Sequence, residues 1–142
     1  MNEEVIMKKF LLLLTVLVTV SCASVKPLSQ DRIQVYEQLV AVTNQDLPLT
    51  VDEVTVLDRV DFSESERTLD YIYTLGFSGD DLSQSQIQEL KSQVSYVVQE
   101  NMKNNNTPAV AMYRSDKLNI RHRYYDSNGK ELITVVVPAG SY

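Results

Sequence analysis

The chain has almost none of the residues that most often bind transition metals or act as nucleophiles. Its 142 residues include one cysteine, one histidine and no tryptophan. A single cysteine excludes an internal disulfide, and it leaves neither a His/Cys zinc cluster nor a Cys–His nucleophile pair. The sequence therefore predicts no metal site and no cofactor.

Glycine and proline are also scarce, with four of each. Hydrophobic residues make up 44% of the chain and charged residues 23%, values close to those of ordinary globular proteins. Such a composition argues against a disordered chain and against a fibrous repeat. The length allows about one small domain with its own core.

Basic residues are fewer than acidic residues, with 13 lysines and arginines against 19 aspartates and glutamates. The net charge of −6 disfavours nucleic acid as a partner. The export signal described next argues against it as well.

The long apolar run lies near the N-terminus, from Phe10 to Val20, directly after Lys8 and Lys9. As a helix it would span about 16 Å, roughly half of a bilayer core, so a signal peptide explains it better than a transmembrane helix. Residues 1–21 are therefore predicted to be a signal peptide. Met7 is the expected true start, because Met-Lys-Lys then leads straight into the apolar run.

The segment Val18-Thr19-Val20-Ser21-Cys22 resembles the lipobox of bacterial lipoproteins. The resemblance implies that Cys22 is the lipidation site, carries fatty acyl chains such as palmitate, and begins a tether over residues 22–28. An unpaired thiol is a liability in an oxidising compartment, which also favours acylation. Ala23 after the cysteine implies the periplasmic side of the outer membrane in a Gram-negative cell. The alternative is an ordinary signal peptide cut after Ala23.

Residues 29–142 are predicted to form a single α+β domain. Apolar residues three and four apart predict helices, and alternation at every second residue predicts strands. Helices are expected at 30–43, at 84–102 after a Ser83–Gln86 capping box, and at 108–114 with a strand as the alternative; strands are expected near 54–62, 69–77, 118–125 and 133–137. The order α-β-β-α-(α)-β-β favours a four-stranded antiparallel sheet with helices packed on one face.

Alternation also predicts which face of each strand meets the core. Leu69, Tyr71 and Tyr73 share one face, which we expect to be buried, whereas Asp70 and Thr74 point away. In the third strand, Arg121, Arg123 and Tyr125 share the face opposite Ile120 and Tyr124.

The C-terminal part of the chain concentrates positive charge, with six bases against three acids between Asn101 and Tyr142. Arginine and tyrosine are frequent in protein-binding hot spots. We therefore predict a binding face for an acidic protein or glycan, and a merely solvated strand face is the alternative. Its candidate residues are Arg121, Arg123, Tyr125, Arg114 and Lys117.

Other candidate chemistry is weak. The single imidazole, His122, has no recognisable nucleophile or orienting partner in the sequence. Asp126-Ser127-Asn128-Gly129 is similar to the start of a calcium loop but lacks the later ligands, so a plain turn is the better interpretation. No catalytic residue is predicted.

Parts of the domain also resemble small exported proteobacterial proteins of uncharacterised function. The resemblance covers about residues 48–137 and implies export, but it implies no activity. It is carried by Pro48, Asp52, Thr55, Leu57, the run Leu69-Asp70-Tyr71-Ile72-Tyr73, the run Tyr124-Tyr125-Asp126 and Gly129.

Together these features predict a membrane-anchored envelope lipoprotein, not an enzyme, that acts as a protein-binding accessory module with an envelope protein as partner. One alternative is a small-ligand or glycan-binding lipoprotein that uses the tyrosine-rich sheet face. Another is an envelope hydrolase acting on peptidoglycan or a glycan through carboxylate, serine or tyrosine chemistry.

Overall fold

A computed structural model describes residues 25–142, and the predicted signal peptide and Cys22 lie outside the described residues. The described part has the α+β architecture, with one sheet and three helices. In chain order the elements are α1 (Gln30–Gln45), β1 (Leu49–Thr50), β2 (Thr55–Ser63), β3 (Thr68–Leu75), a 3₁₀ turn (Gly79–Asp81), α2 (Gln84–Asn104), α3 (Pro108–Ser115), β4 (Asn119–Tyr125) and β5 (Glu131–Val137).

The predicted helix starts are confirmed by their N-caps. The Ser83 hydroxyl accepts from the Gln86 amide, and the Gln86 side chain accepts from the Ser83 amide, which completes the capping box of α2. Thr107 caps α3 with proline in its first turn, so this segment is a helix and not the alternative strand. None of the helices in residues 25–142 is both long and apolar enough to cross a membrane.

The sheet has five strands and is mixed, so the predicted four-stranded antiparallel sheet is wrong. The two-residue strand β1 adds to the edge of β2. Strands β3 and β4 are parallel, whereas the other neighbours are antiparallel. The pairing is parallel because α2 and α3 form a crossover that returns the chain to the end of the sheet where β3 began.

The helices and one face of the sheet enclose the core. Leu69 and Leu75 are buried on this face, and Tyr71 and Tyr73 pack against the same cluster, which confirms the predicted core face of β3. From the helices, Tyr36 lies at the centre of the core and is completely buried. The buried members are Tyr36, Val60, Leu69, Leu75, Val98, Val110, Tyr113, Leu118, Ile120, Tyr124, Ile133, Val135 and Val137.

The side chain of Asn44 closes part of the outer edge of β2. Its amide donates to the Val60 carbonyl and its carbonyl accepts from the Val60 amide, both at 2.8 Å. An open strand edge can pair with other chains, and this contact blocks it while holding the end of α1 against the sheet.

Candidate partner-binding groove

An open groove of about 460 Å³ lies between α2, strands β3 and β4, and the turn between β1 and β2. We call it the α2 groove. Its α2 side is largely apolar, its floor is aromatic, and its far rim is the turn between β1 and β2. The lining residues include Leu90, Val94 and Val97 from α2, Tyr73, His122 and Tyr124 from the floor, and Val51 and Asp52 from the rim.

The groove exists because α2 packs mainly on β5 and not across the whole sheet. Leu90, Val94 and Val97 are spaced by four and three residues and therefore share one face of the helix. Val97 is 52% exposed, and Val51 on the rim is 55% exposed. Apolar side chains left exposed around a concavity are typical of binding sites.

The floor of the groove is a stack of aromatic rings. The His122 ring lies between Tyr71 and Tyr73, with centroid distances of 5.1 and 5.8 Å. Tyr73 in turn stacks on Tyr124 at 4.5 Å. His122 Nδ1 and the Tyr73 hydroxyl share a hydrogen bond of 3.1 Å. Rings fixed in this way provide a rigid surface against which a partner can pack.

Burial keeps these groups uncharged at neutral pH. It lowers the pKa of His122 to about 4, and it raises the pKa of Tyr124 to about 12 and that of Tyr73 above its ordinary value. His122 Nε2 is buried without a hydrogen-bond partner among the described residues. Within residues 25–142, the hydrogen bond of the imidazole is to the Tyr73 hydroxyl, and no carboxylate of this part of the chain bonds to it to orient it as a base.

Residues 25–142 contain no group of three or more His, Cys, Asp or Glu side chains that could hold a metal ion. The α2 groove combines apolar side chains along α2 with a rigid floor of uncharged aromatic rings, and these features suit it to bind a partner.

Three of the residues predicted to bind a partner lie together on the opposite, helix-free face of the sheet. Arg121 donates to Asp70 through Nε and Nη2, and also donates from Nη2 to Glu66 at 2.7 Å. These hydrogen bonds, first the pair accepted by Asp70 and then the one accepted by Glu66, raise the pKa of Arg121. Asp70 faces away from the core, as predicted, but it is only 5% exposed, because Arg121 covers it.

The second arginine of this face is also paired within the chain. Arg123 donates to Glu131 at 2.6 Å, and the Tyr125 hydroxyl donates to the same carboxylate at 3.0 Å. The Arg123 guanidinium lies 5.5 Å from the Tyr125 ring centre. Neighbouring carboxylates therefore already neutralise the positive charge that would attract an acidic partner.

The other two predicted binding residues lie elsewhere. Arg114 donates to the Met102 carbonyl at 2.9 Å, which satisfies the C-terminal end of α2. Lys117 is exposed in a turn with φ of 53°. The five predicted residues consequently do not form one surface.

The sequence pointed to Tyr73 of the groove floor through the tyrosine-rich sheet face, and to His122 as the single imidazole, but the α2 side and the rim of the groove were missed. The sequence feature that could have revealed the α2 side is the spacing of apolar residues along α2. The same spacing is expected of a helix face that is fully packed on a core. Which of these side chains stay exposed depends on the placement of α2 over β5.

Comparison with known proteins identifies the family of the chain. Residues 31–133 match the family model DUF8479, a domain of unknown function. The chain belongs to this family. No curated protein sequence matches it.

Three solved structures share the fold of this DUF8479 protein, each with low sequence identity. PA3611, a Pseudomonas aeruginosa protein for which secretion has been suggested, is 11% identical, with a TM-score of 0.60 over 76% of this chain and 89% of that one. EpsS, the Vibrio vulnificus type 2 secretion pilotin, is 17% identical, with a TM-score of 0.54 over 76% and 88%. AspS, the Vibrio cholerae type II secretion pilotin, is 13% identical, with a TM-score of 0.52 over 80% and 94%.

Proposed function

We propose that this DUF8479 protein is a non-enzymatic accessory lipoprotein of the outer membrane, anchored through Cys22, that binds a segment of an envelope protein in the α2 groove. The observation that carries the proposal is the concave site with exposed Val51 and Val97 on opposite sides of an aromatic floor. The fold shared with secretion-system pilotins supports an accessory role in the envelope.

The chemistry of the groove favours an amphipathic helix as the occupant. A helix that lies along α2 can present apolar side chains at matching intervals to Leu90, Val94 and Val97. Asp52 on the rim accepts a hydrogen bond from the Val54 amide, which lowers the pKa of its carboxyl and keeps it ionised at neutral pH. The partner segment should therefore carry a lysine or arginine opposite Asp52.

A small apolar ligand is the second candidate occupant, because the volume of about 460 Å³ lies within the usual range of small-molecule pockets. A charge introduced at the mouth of the groove would affect binding of a helix and binding of a small ligand differently. A lysine at the mouth would disrupt a helix that covers the whole groove, but it would leave the deeper floor accessible to a small ligand.

Val97→Lys is expected to abolish co-purification of the protein partner from detergent-solubilised envelopes, because it places a charge against an apolar interface. Its melting temperature should stay close to that of the wild type, since Val97 is half exposed. The matched control is Tyr96→Lys, because Tyr96 neighbours Val97 on α2, is 69% exposed and does not line the groove. Equal recovery of the partner by both variants would contradict the groove assignment.

A further inference from the structure

Arg67 fixes the chain where it enters the domain. Its Nη1 donates to the Lys26 carbonyl at 2.7 Å, and its Nε donates to the Asp116 carbonyl at 2.9 Å. Arg67 itself has a φ of 52°, in the left-handed region that non-glycine residues seldom adopt. One guanidinium thus joins the N-terminal segment to the turn that follows α3.

The Asp116 end of this contact is itself held in place. The Tyr36 hydroxyl donates to the Asp116 carboxylate at 2.5 Å, and Arg32 forms an ion pair with the same oxygen at 2.6 Å. Leu28, two residues after Lys26, packs against the core. The N-terminal segment is therefore bonded to Arg67, and Arg67 is bonded to the turn after α3, which Tyr36 and Arg32 of α1 hold in place.

This attachment lies at the end of the sheet remote from the floor of the α2 groove. Arg67 directly precedes β3, whereas Tyr73 in the groove floor lies near the other end of the strand and pairs with Tyr124. The rim follows β1, and Thr55 beside it pairs with Leu75, the last residue of β3. Seven steps along β3 span about 23 Å, so the rim and the chain entry are well separated.

The distance from the proposed anchor to the attached segment is short. Lys26 lies four positions after Cys22, and four fully extended steps of the chain reach about 14 Å. An acylated Cys22 lies at the bilayer surface, so Lys26 and Arg67 must stay close to that surface as well.

We propose that the end of the domain formed by Lys26 and the β2–β3 turn (residues 64–67) rests on the lipid headgroups, so that the α2 groove faces away from the bilayer. Arg67 is the positioning residue that maintains this orientation. The proposal rests on acylation of Cys22. The occupant of this surface is the membrane that carries the protein, and no second partner is required.

The test places a fluorophore at one of two sites in the purified lipidated protein bound to phosphatidylcholine vesicles that contain headgroup spin-labelled lipid. The sites are Ser65→Cys, in the β2–β3 turn, and Glu53→Cys, in the turn between β1 and β2; both residues are exposed. Quenching is expected to be several-fold stronger at position 65 than at position 53. Arg67→Gly tolerates the positive φ and should narrow this difference by freeing the chain entry.

Lys117→Gly is the matched control, because Lys117 also has a positive φ, of 53°, but makes no hydrogen bond to Lys26. It should keep the full quenching difference between positions 65 and 53. The comparison uses only variants whose melting temperatures match that of the wild type. Bound protein with equal quenching at both sites would overturn the orientation, and an unchanged difference in Arg67→Gly would overturn the role of Arg67 as the positioning residue. Failure of the lipidated protein to bind vesicles would overturn the acylation and the orientation together.

Discussion

Arg121→Met, which removes the charge but keeps an apolar side chain over Asp70, is expected to lower the free energy of unfolding by about 3 kcal/mol at pH 7. The reason is that Asp70, on β3, is 5% exposed and has Arg121 as its ion-pair partner. Removing the guanidinium leaves a buried carboxylate without a cation, and the domain must then bear its desolvation. Urea denaturation followed by circular dichroism measures the loss.

Arg123→Met is the matched control from the same strand and the same face. The carboxylate of its partner, Glu131, is 38% exposed, so water replaces much of the lost interaction and the expected cost is below about 1 kcal/mol. Equally small losses in both variants would contradict a structural role for Arg121. They would instead favour the predicted use of Arg121 and Arg123 as binding residues.

Cys22→Ser is expected to remove the protein from the membrane completely. Residues 25–142 contain no helix able to span a bilayer, so attachment would depend on the acyl chains. The measurements are incorporation of labelled palmitate and partitioning into a detergent phase. Wild-type protein should enter the detergent phase, whereas the variant should carry no palmitate and, once its signal peptide is cut, should stay in the aqueous phase. Precursor that keeps the apolar run is distinguished by its larger mass.

Ser24→Ala, two residues later in the predicted tether, is the control for a general effect on export. It should label and partition like the wild type. Detergent partitioning of Cys22→Ser equal to that of the wild type would contradict acylation and favour the ordinary signal peptide cut after Ala23.

The parts of the fold that could be predicted from the sequence depend on local interactions. The Ser83–Gln86 capping box and the Thr107-Pro108 start involve residues at most three positions apart, so their signals survive without knowledge of the fold. Strand pairing is different. Parallel pairing of β3 with β4 results from the path of the crossover, and no residue within either strand encodes it.

In the candidate sites, too, the features set by local sequence could be predicted and those set by the packing of elements could not. Alternation correctly places Arg121, Arg123 and Tyr125 on one face, because side chains alternate regardless of the strand's neighbours. The pairing of Arg121 with Asp70 follows from the parallel register of β4 beside β3, which sets these residues opposite each other. The α2 groove depends on where α2 lies over the sheet, so its residues look like core residues until the packing is known.

The most direct test of partner binding is photo-crosslinking in intact cells from a single photoreactive residue. Position 97 would probe the α2 groove and position 134 the opposite face of the sheet, where Thr134 bonds to Glu131. We expect a discrete protein adduct from position 97 and none from position 134. The adduct from position 97 should be lost when Val94→Arg is added to block the groove. Two results would contradict partner binding in the α2 groove. One is an adduct from position 134 and not from position 97, and the other is a groove adduct that persists with Val94→Arg.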